Sequence, residues 1–170
     1  MARHRRIAIV VASAVAIAAG IVAVLIWHAD RTERQREAAV REALPVIRAA
    51  VGATLDRYAR EQIMDSLLSR ASGDPDAYRQ FIVIDRPDLL PDAHWGRDFE
   101  WDGKQYQWPD NPFTGEPMQP GKGPGDFSVT FIWYGYPSGL PDAFELTGYG
   151  EDGRAVATVS TRPSPMPVQP

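Results

Sequence analysis

The sequence contains no cysteine, so disulfides, thiolate metal sites and a cysteine nucleophile are excluded and any chemistry rests on oxygen and nitrogen groups. Carboxylates crowd one stretch: Asp85, Asp88, Asp92, Asp98, Glu100 and Asp102. Two carboxyls held several ångströms apart can divide general acid and base work, as in glycoside hydrolysis. The sequence singles out no pair among the six, and solvated loop charge is the reading adopted. Of the histidines, His4 and His28 flank the first apolar segment, which leaves only His94 for the rest of the chain. One isolated histidine supports neither a triad nor a metal site, and a packing or surface role is expected. No G-x-S-x-G nucleophile turn occurs. The glycine-rich GKGPGD at 121–126 lacks the G-K-[ST] that opens a phosphate-cradling helix. Trp95, Trp101, Tyr106, Trp108, Trp133, Tyr134 and Tyr136 have the makings of a sugar-stacking or partner-binding surface. Their alternation along strand-like segments favours core and interface packing instead. No catalytic, cofactor-binding or metal-ligating residue is assigned, and the chain is read as a non-enzyme.

The elements that carry these residues begin with a sharp asymmetry. Hydrophobic residues make up 44% of the 170 positions, enough for one packed domain plus an appendage. All 22 acidic residues follow the first apolar segment, whereas Arg3, Arg5 and Arg6 precede it. The acidic remainder argues against nucleic acid as a partner, since phosphate contacts need a basic face. Residues 7–27, IAIVVASAVAIAAGIVAVLIW, carry no charge. As a helix they extend roughly 30 Å, the thickness of a bilayer's hydrocarbon core. The MARHRR head then predicts a cytoplasmic N-terminus, and Trp27 suits the far interface. A cleavable signal peptide ending at Ala16-Ile17-Ala18 is the competing reading, disfavoured because the apolar run continues well past that site.

From Asp30 onward the chain reads as a solvated helix, with Asp30/Arg34 and Glu37/Arg41 as i,i+4 pairs. Leu44, Ile47, Val51, Leu55 and Tyr58 recur at helical steps and predict one buried face. Pro45 is expected to bend this helix or open a new first turn. The helix is expected to continue through Ile63, Leu67 and Leu68 and to stop near Ser72. Phe81 to Ile84 fits a strand or a short helix. Asp102-Gly103 between FEW and KQY is a type I′ hairpin signal, which sets Phe99 opposite Tyr106 and Trp101 opposite Lys104. The stretch PDNPFTGEPMQPGKGPGD at 109–126 can be neither helix nor central strand and reads as a shaped crossover loop. DFSVTFIW, FELTGY and RAVATVS then form an antiparallel meander whose apolar face the helix stripe covers. The organisation is a basic cytoplasmic head (1–6), a membrane-spanning helix (7–27), an extracytoplasmic helix (28–72), a loop-and-sheet module (73–160) and a proline-rich disordered tail (161–170). The fold class is α+β.

This layout resembles the type IV pilin and type II secretion pseudopilin superfamily. The local likeness is to major-subunit, G-type pseudopilins, carried by WPDNPFTGEPM, GPGDFSVTF and FELTGYGEDGRAV. The resemblance implies a pilin-like fold and a subunit that packs its N-terminal helix against copies of itself or homologous subunits in a membrane-rooted assembly. It implies no catalysis. G-type pseudopilins hold calcium in their C-terminal loops, which turns attention to Asp142, Glu151 and Asp152, although no D-x-D-x-D-G spacing is present. Processed members carry a glycine just before the apolar segment and a glutamate at its fifth position. Here those positions are Arg6 and Val11. The expectation is therefore a divergent relative that keeps its N-terminus as a permanent, single-pass anchor in the cytoplasmic membrane. The alternative function is an anchored extracytoplasmic ligand-binding or sensory module using an aromatic face.

Overall fold

The computed structural model describes residues 2–61, 81–134 and 140–161, with side chains from Ile17 onward. The expected helical turns at Ile63, Leu67 and Leu68, the residue Tyr136 and the tail from Arg162 lie outside the described residues. The architecture is α+β, with one long N-terminal helix and a small antiparallel sheet. The chain divides into two units, residues 1–35 and 36–170.

Helix α1 (Ala2–Glu61) supplies the whole described part of the first unit. Every side chain from Ile17 to Asp30 is exposed, including Ile17, Ile21, Val24, Leu25 and Ile26 at 56–64%. Among the described residues, no helix is long and apolar enough to cross a membrane. The side chains of residues 7–16, which open the expected 7–27 span, lie outside that description. The predicted Asp30–Arg34 pair forms at 2.9 Å, on the solvated surface where such pairs are worth only about 0.3–0.5 kcal/mol.

In the second unit the same helix acquires a dry face. Val40, Leu44, Ile47, Ala50 and Val51 are fully buried, and Thr54 and Tyr58 nearly so. The predicted stripe is therefore correct at Leu44, Ile47, Val51 and Tyr58, while Leu55 is only partly buried. Pro45 neither ends the helix nor starts a new one. It is exposed, so the Arg41 carbonyl that loses its helical donor faces the solvent side, where water can replace the bond. The Thr54 hydroxyl donates to the Ala50 carbonyl at 2.9 Å, which satisfies it within the helix.

The sheet contains β1 (Phe81–Ile84), β4 (Phe127–Ile132), β5 (Ala143–Tyr149) and β6 (Ala155–Thr161) in the order β1-β4-β5-β6, all antiparallel. The hairpin β2 (Phe99–Trp101) and β3 (Lys104–Tyr106) forms a separate ribbon. The expected meander is present, and the ambiguous 81–84 segment is a strand that joins its β4 edge. Phe127, Val129, Phe131 and Trp133 alternate onto the buried face, as a one-sided sheet requires. The helix covers that face closely. A Cβ on Gly148 would sit 2.6 Å from Val40 Cγ1, so only glycine lets β5 approach α1 to this distance. Strand β6 extends one residue into the expected tail, because the Thr161 hydroxyl accepts from the Phe144 amide (3.1 Å) and donates to its carbonyl (3.0 Å).

The hairpin matches its expectation in register and turn. Phe99 pairs with Tyr106 and Trp101 with Lys104. Asp102 (φ 52°) and Gly103 (φ 68°) both take the positive φ of a type I′ turn. The Phe99 and Tyr106 rings stack 4.9 Å apart.

Candidate functional site

Three places in the second unit bring polar side chains together. The first lies where α1 meets the hairpin tip. The Trp101 indole packs on Gly52, one ring carbon lying 3.0 Å from where a Cβ would stand. Its Nε1 donates to Asp56 Oδ2 at 2.8 Å. Beside this contact opens a groove of about 660 Å³ lined by Asp56, Ala59, Arg60, Glu100, Trp101, Asp102 and Gly103. Three carboxylates, one guanidinium and an indole edge suit a polar, hydroxyl-bearing ligand better than an apolar one. Glu100 already accepts from Gln105 Nε2 at 2.7 Å.

The second place gathers Arg57, Tyr58, Asp92, His94 and Arg97. The Tyr58 hydroxyl donates to Asp92 Oδ2 at 3.3 Å, and Arg57 Nη2 donates to the Asp92 carbonyl. Burial, reinforced by the Asp92 carboxylate, pushes the Tyr58 phenol above its ordinary range. Burial and the nearby Arg57 and Arg97 charges hold His94 below its ordinary value. His94 stacks on Phe99 at 5.8 Å, the packing role expected of it. Arg57 Nε and Trp95 Nε1 are buried without a hydrogen-bond partner among the described residues.

The third is the crossover loop. Asn111 is 4% exposed and ties the loop to itself. Its Nδ2 donates to the Pro124 carbonyl at 2.8 Å and approaches Asp126 Oδ1 at 3.4 Å. Its Oδ1 accepts from the Phe113 amide at 2.9 Å and from the Thr114 amide at 3.3 Å. Asp126 Oδ2 accepts from the Gly123 amide at 3.1 Å. Burial raises the Asp126 carboxyl above its usual range, partly offset by these hydrogen bonds. Met118 is fully buried beneath the loop, and its carbonyl accepts from Trp108 Nε1 at 3.0 Å. The Asn111 and Asp126 side chains bond within the loop, which makes it a structural clasp.

The carboxylates singled out from sequence go to different tasks. Asp85 pairs with Lys122 (3.2 Å), Asp88 with Arg86 (3.6 Å), and Asp98 accepts from the Trp108 amide (2.7 Å). Only Glu100 and Asp102 meet in the groove, with Asp56, which carried no local signal because its indole partner is 45 residues away. The calcium candidates do not converge. Asp142 precedes β5 whereas Glu151 and Asp152 follow it, and seven strand residues at about 3.3 Å each hold them apart. Asp142 accepts from the Tyr134 amide, and Asp152 serves Arg154. Among the described residues, no three His, Cys, Asp or Glu side chains are grouped to hold a metal ion.

The aromatics do not share one face either. Trp95, Trp108 and Trp133 are buried, Trp101 and Tyr106 half-buried, and Tyr134 is 68% exposed. Trp95, Trp108 and Phe127 pack with centroids 5.5–6.2 Å apart in a core cluster.

No protein-family model matches this sequence, and neither a curated protein nor a solved structure matches it.

Proposed function

We propose that the chain is a non-enzymatic, pilin-like subunit of a membrane-rooted extracytoplasmic assembly, of the type II secretion or type IV pilus kind. Residues 7–27 anchor it in the cytoplasmic membrane with the N-terminus inside, and the sheet module lies outside the cytoplasm. The observation that carries this reading is the apolar part of α1. From Ile17 to Trp27 the large apolar side chains are 54–64% exposed, although the core of the second unit is complete without them. Apolar surface of that extent calls for a partner, either acyl chains or helices of neighbouring subunits. The motifs at 108–159 favour the pilin-like form of such a partner.

Because the chain has no cysteine, single cysteines at Ile21, Val24 and Leu25 provide a direct test by oxidative cross-linking in membranes. Cross-linked dimers, or adducts with a homologous subunit, are expected at positions on one helix face. Monomer alone at every position would remove the assembly role.

The open groove at Trp101 favours a second reading, an anchored ligand-binding module. It predicts that the full chain binds glycans or polar peptides on an array and that Trp101→Ala abolishes the signal. A blank array counts against it.

A further inference from the structure

At the end of the exposed apolar stretch an indole and two arginines come together. Trp27, Arg31 and Arg34 fall at i, i+4 and i+7, so they share one face. Trp27 is 58% exposed, and the Arg31 guanidinium carbon sits 5.4 Å from the centre of its ring. Arg34 is committed to Asp30 by a bond of 3.2 Å from Nε and an ion pair of 2.9 Å from Nη2. Arg31 has no such carboxylate: among the described residues its one close contact is the indole face. Thr32 Oγ1 turns back to the His28 carbonyl at 2.9 Å, so it does not compete for the space in front of the guanidinium.

We infer that Trp27 and Arg31 form a clamp for the phosphate of an anionic phospholipid where α1 leaves the bilayer, an inference that rests on the anchor reading above. The chemistry is specific at each position. Val22, Val24, Leu25 and Ile26 expose the apolar surface that acyl chains cover. An indole belongs at headgroup depth, with an apolar body and one polar edge. A guanidinium placed over the face of that ring has no carboxylate on its N–H fork, and the fork matches two phosphate oxygens. Stacking also limits the side chain's freedom before the lipid arrives, which reduces the ordering cost of binding. Arg34, neutralised by Asp30, contributes much less.

The test uses the full chain reconstituted into vesicles of equal parts phosphatidylcholine and phosphatidylglycerol. Insertion is read by flotation after an alkaline wash, and lipid preference by native mass spectrometry of the lipid that stays bound. Wild-type protein is expected to float and to enrich phosphatidylglycerol. Arg31→Gln is expected to float equally and to lose about fivefold of that enrichment, the size of one interfacial arginine. Arg31→Lys, which keeps the charge without the planar fork, retains part of it, and Arg34→Gln changes it little. Floating protein with no phosphatidylglycerol preference, or an Arg31→Gln variant that keeps the full preference, overturns the clamp alone. A chain that fails to float overturns the anchor reading and the clamp with it.

Discussion

Residues 17–27 and 40–51 belong to one helix and are both rich in valine and alanine, yet they live in opposite surroundings. In the first stretch the apolar side chains point in every direction and all stand exposed. In the second, Arg41, Glu42 and Arg48 occupy the outer side, and Val40, Leu44, Ile47 and Val51 occupy the inner one at 0% exposure. Hydrophobicity alone does not decide burial within a chain; the period at which polar residues interrupt it does. A stretch without interruption has no inner face, and none of its described side chains from Ile17 to Trp27 is covered by the fold.

The contrast can be broken most directly by truncating matched residues. Ile47→Ala should cost about 3 kcal/mol through lost burial and the remaining cavity, whereas Leu25→Ala should shift stability by less than about 0.5 kcal/mol. Urea unfolding in mild detergent, followed by tryptophan fluorescence, measures both. Comparable losses would mean that the first stretch is also packed against the fold. Asn111→Ala comes next, at about 2 kcal/mol, because it leaves the Phe113 and Thr114 amides and the Pro124 carbonyl without these partners. A neutral result in the same assay would show that the clasp is not structural.

A smaller effect separates the regions by pH. His94, in the second unit, is held below its ordinary value of 6.5, so the unfolded chain takes up the proton first. His94 therefore costs nothing above about pH 6.5, and stability falls as the pH drops through that value toward the lowered one. His94→Gln should flatten the acid side of a stability–pH curve; an unchanged slope would assign it to other groups. The smallest change is expected at Arg34→Ala, under about 0.5 kcal/mol, since the ion pair it breaks is 76% and 51% exposed on its two sides. A larger loss would show that the first unit depends on its charge pattern for helicity.

Much of this was legible wherever the determining contacts are local. The DG hairpin was readable because two adjacent residues set the turn and the turn sets the register. The alternation in DFSVTFIW named its buried face for the same reason. Non-local contacts were not legible. Gly52 reads as a weak point in a helix, and only the fold shows an indole resting there from 49 positions away. Asn111 reads as an ordinary turn residue, but its burial depends on Pro124 and Asp126 closing over it. The groove combines Asp56 with Glu100 and Asp102, which no spacing rule connects. Asp142 and the pair Glu151 and Asp152 stand at opposite ends of β5.

Strand β1 has a consequence for the order of folding. It pairs with β4 rather than with the hairpin that follows it, so residues 85–126 are looped out between Ile84 and Phe127. Closing that loop loses chain entropy before the β1–β4 ladder returns any energy. The β4–β5–β6 meander, whose connections are far shorter than that loop, can form first on the helix stripe, with β1 docking after it. The β1–β4 edge then stays open longest, whereas the hairpin inside the loop, whose contacts are local, does not wait for it.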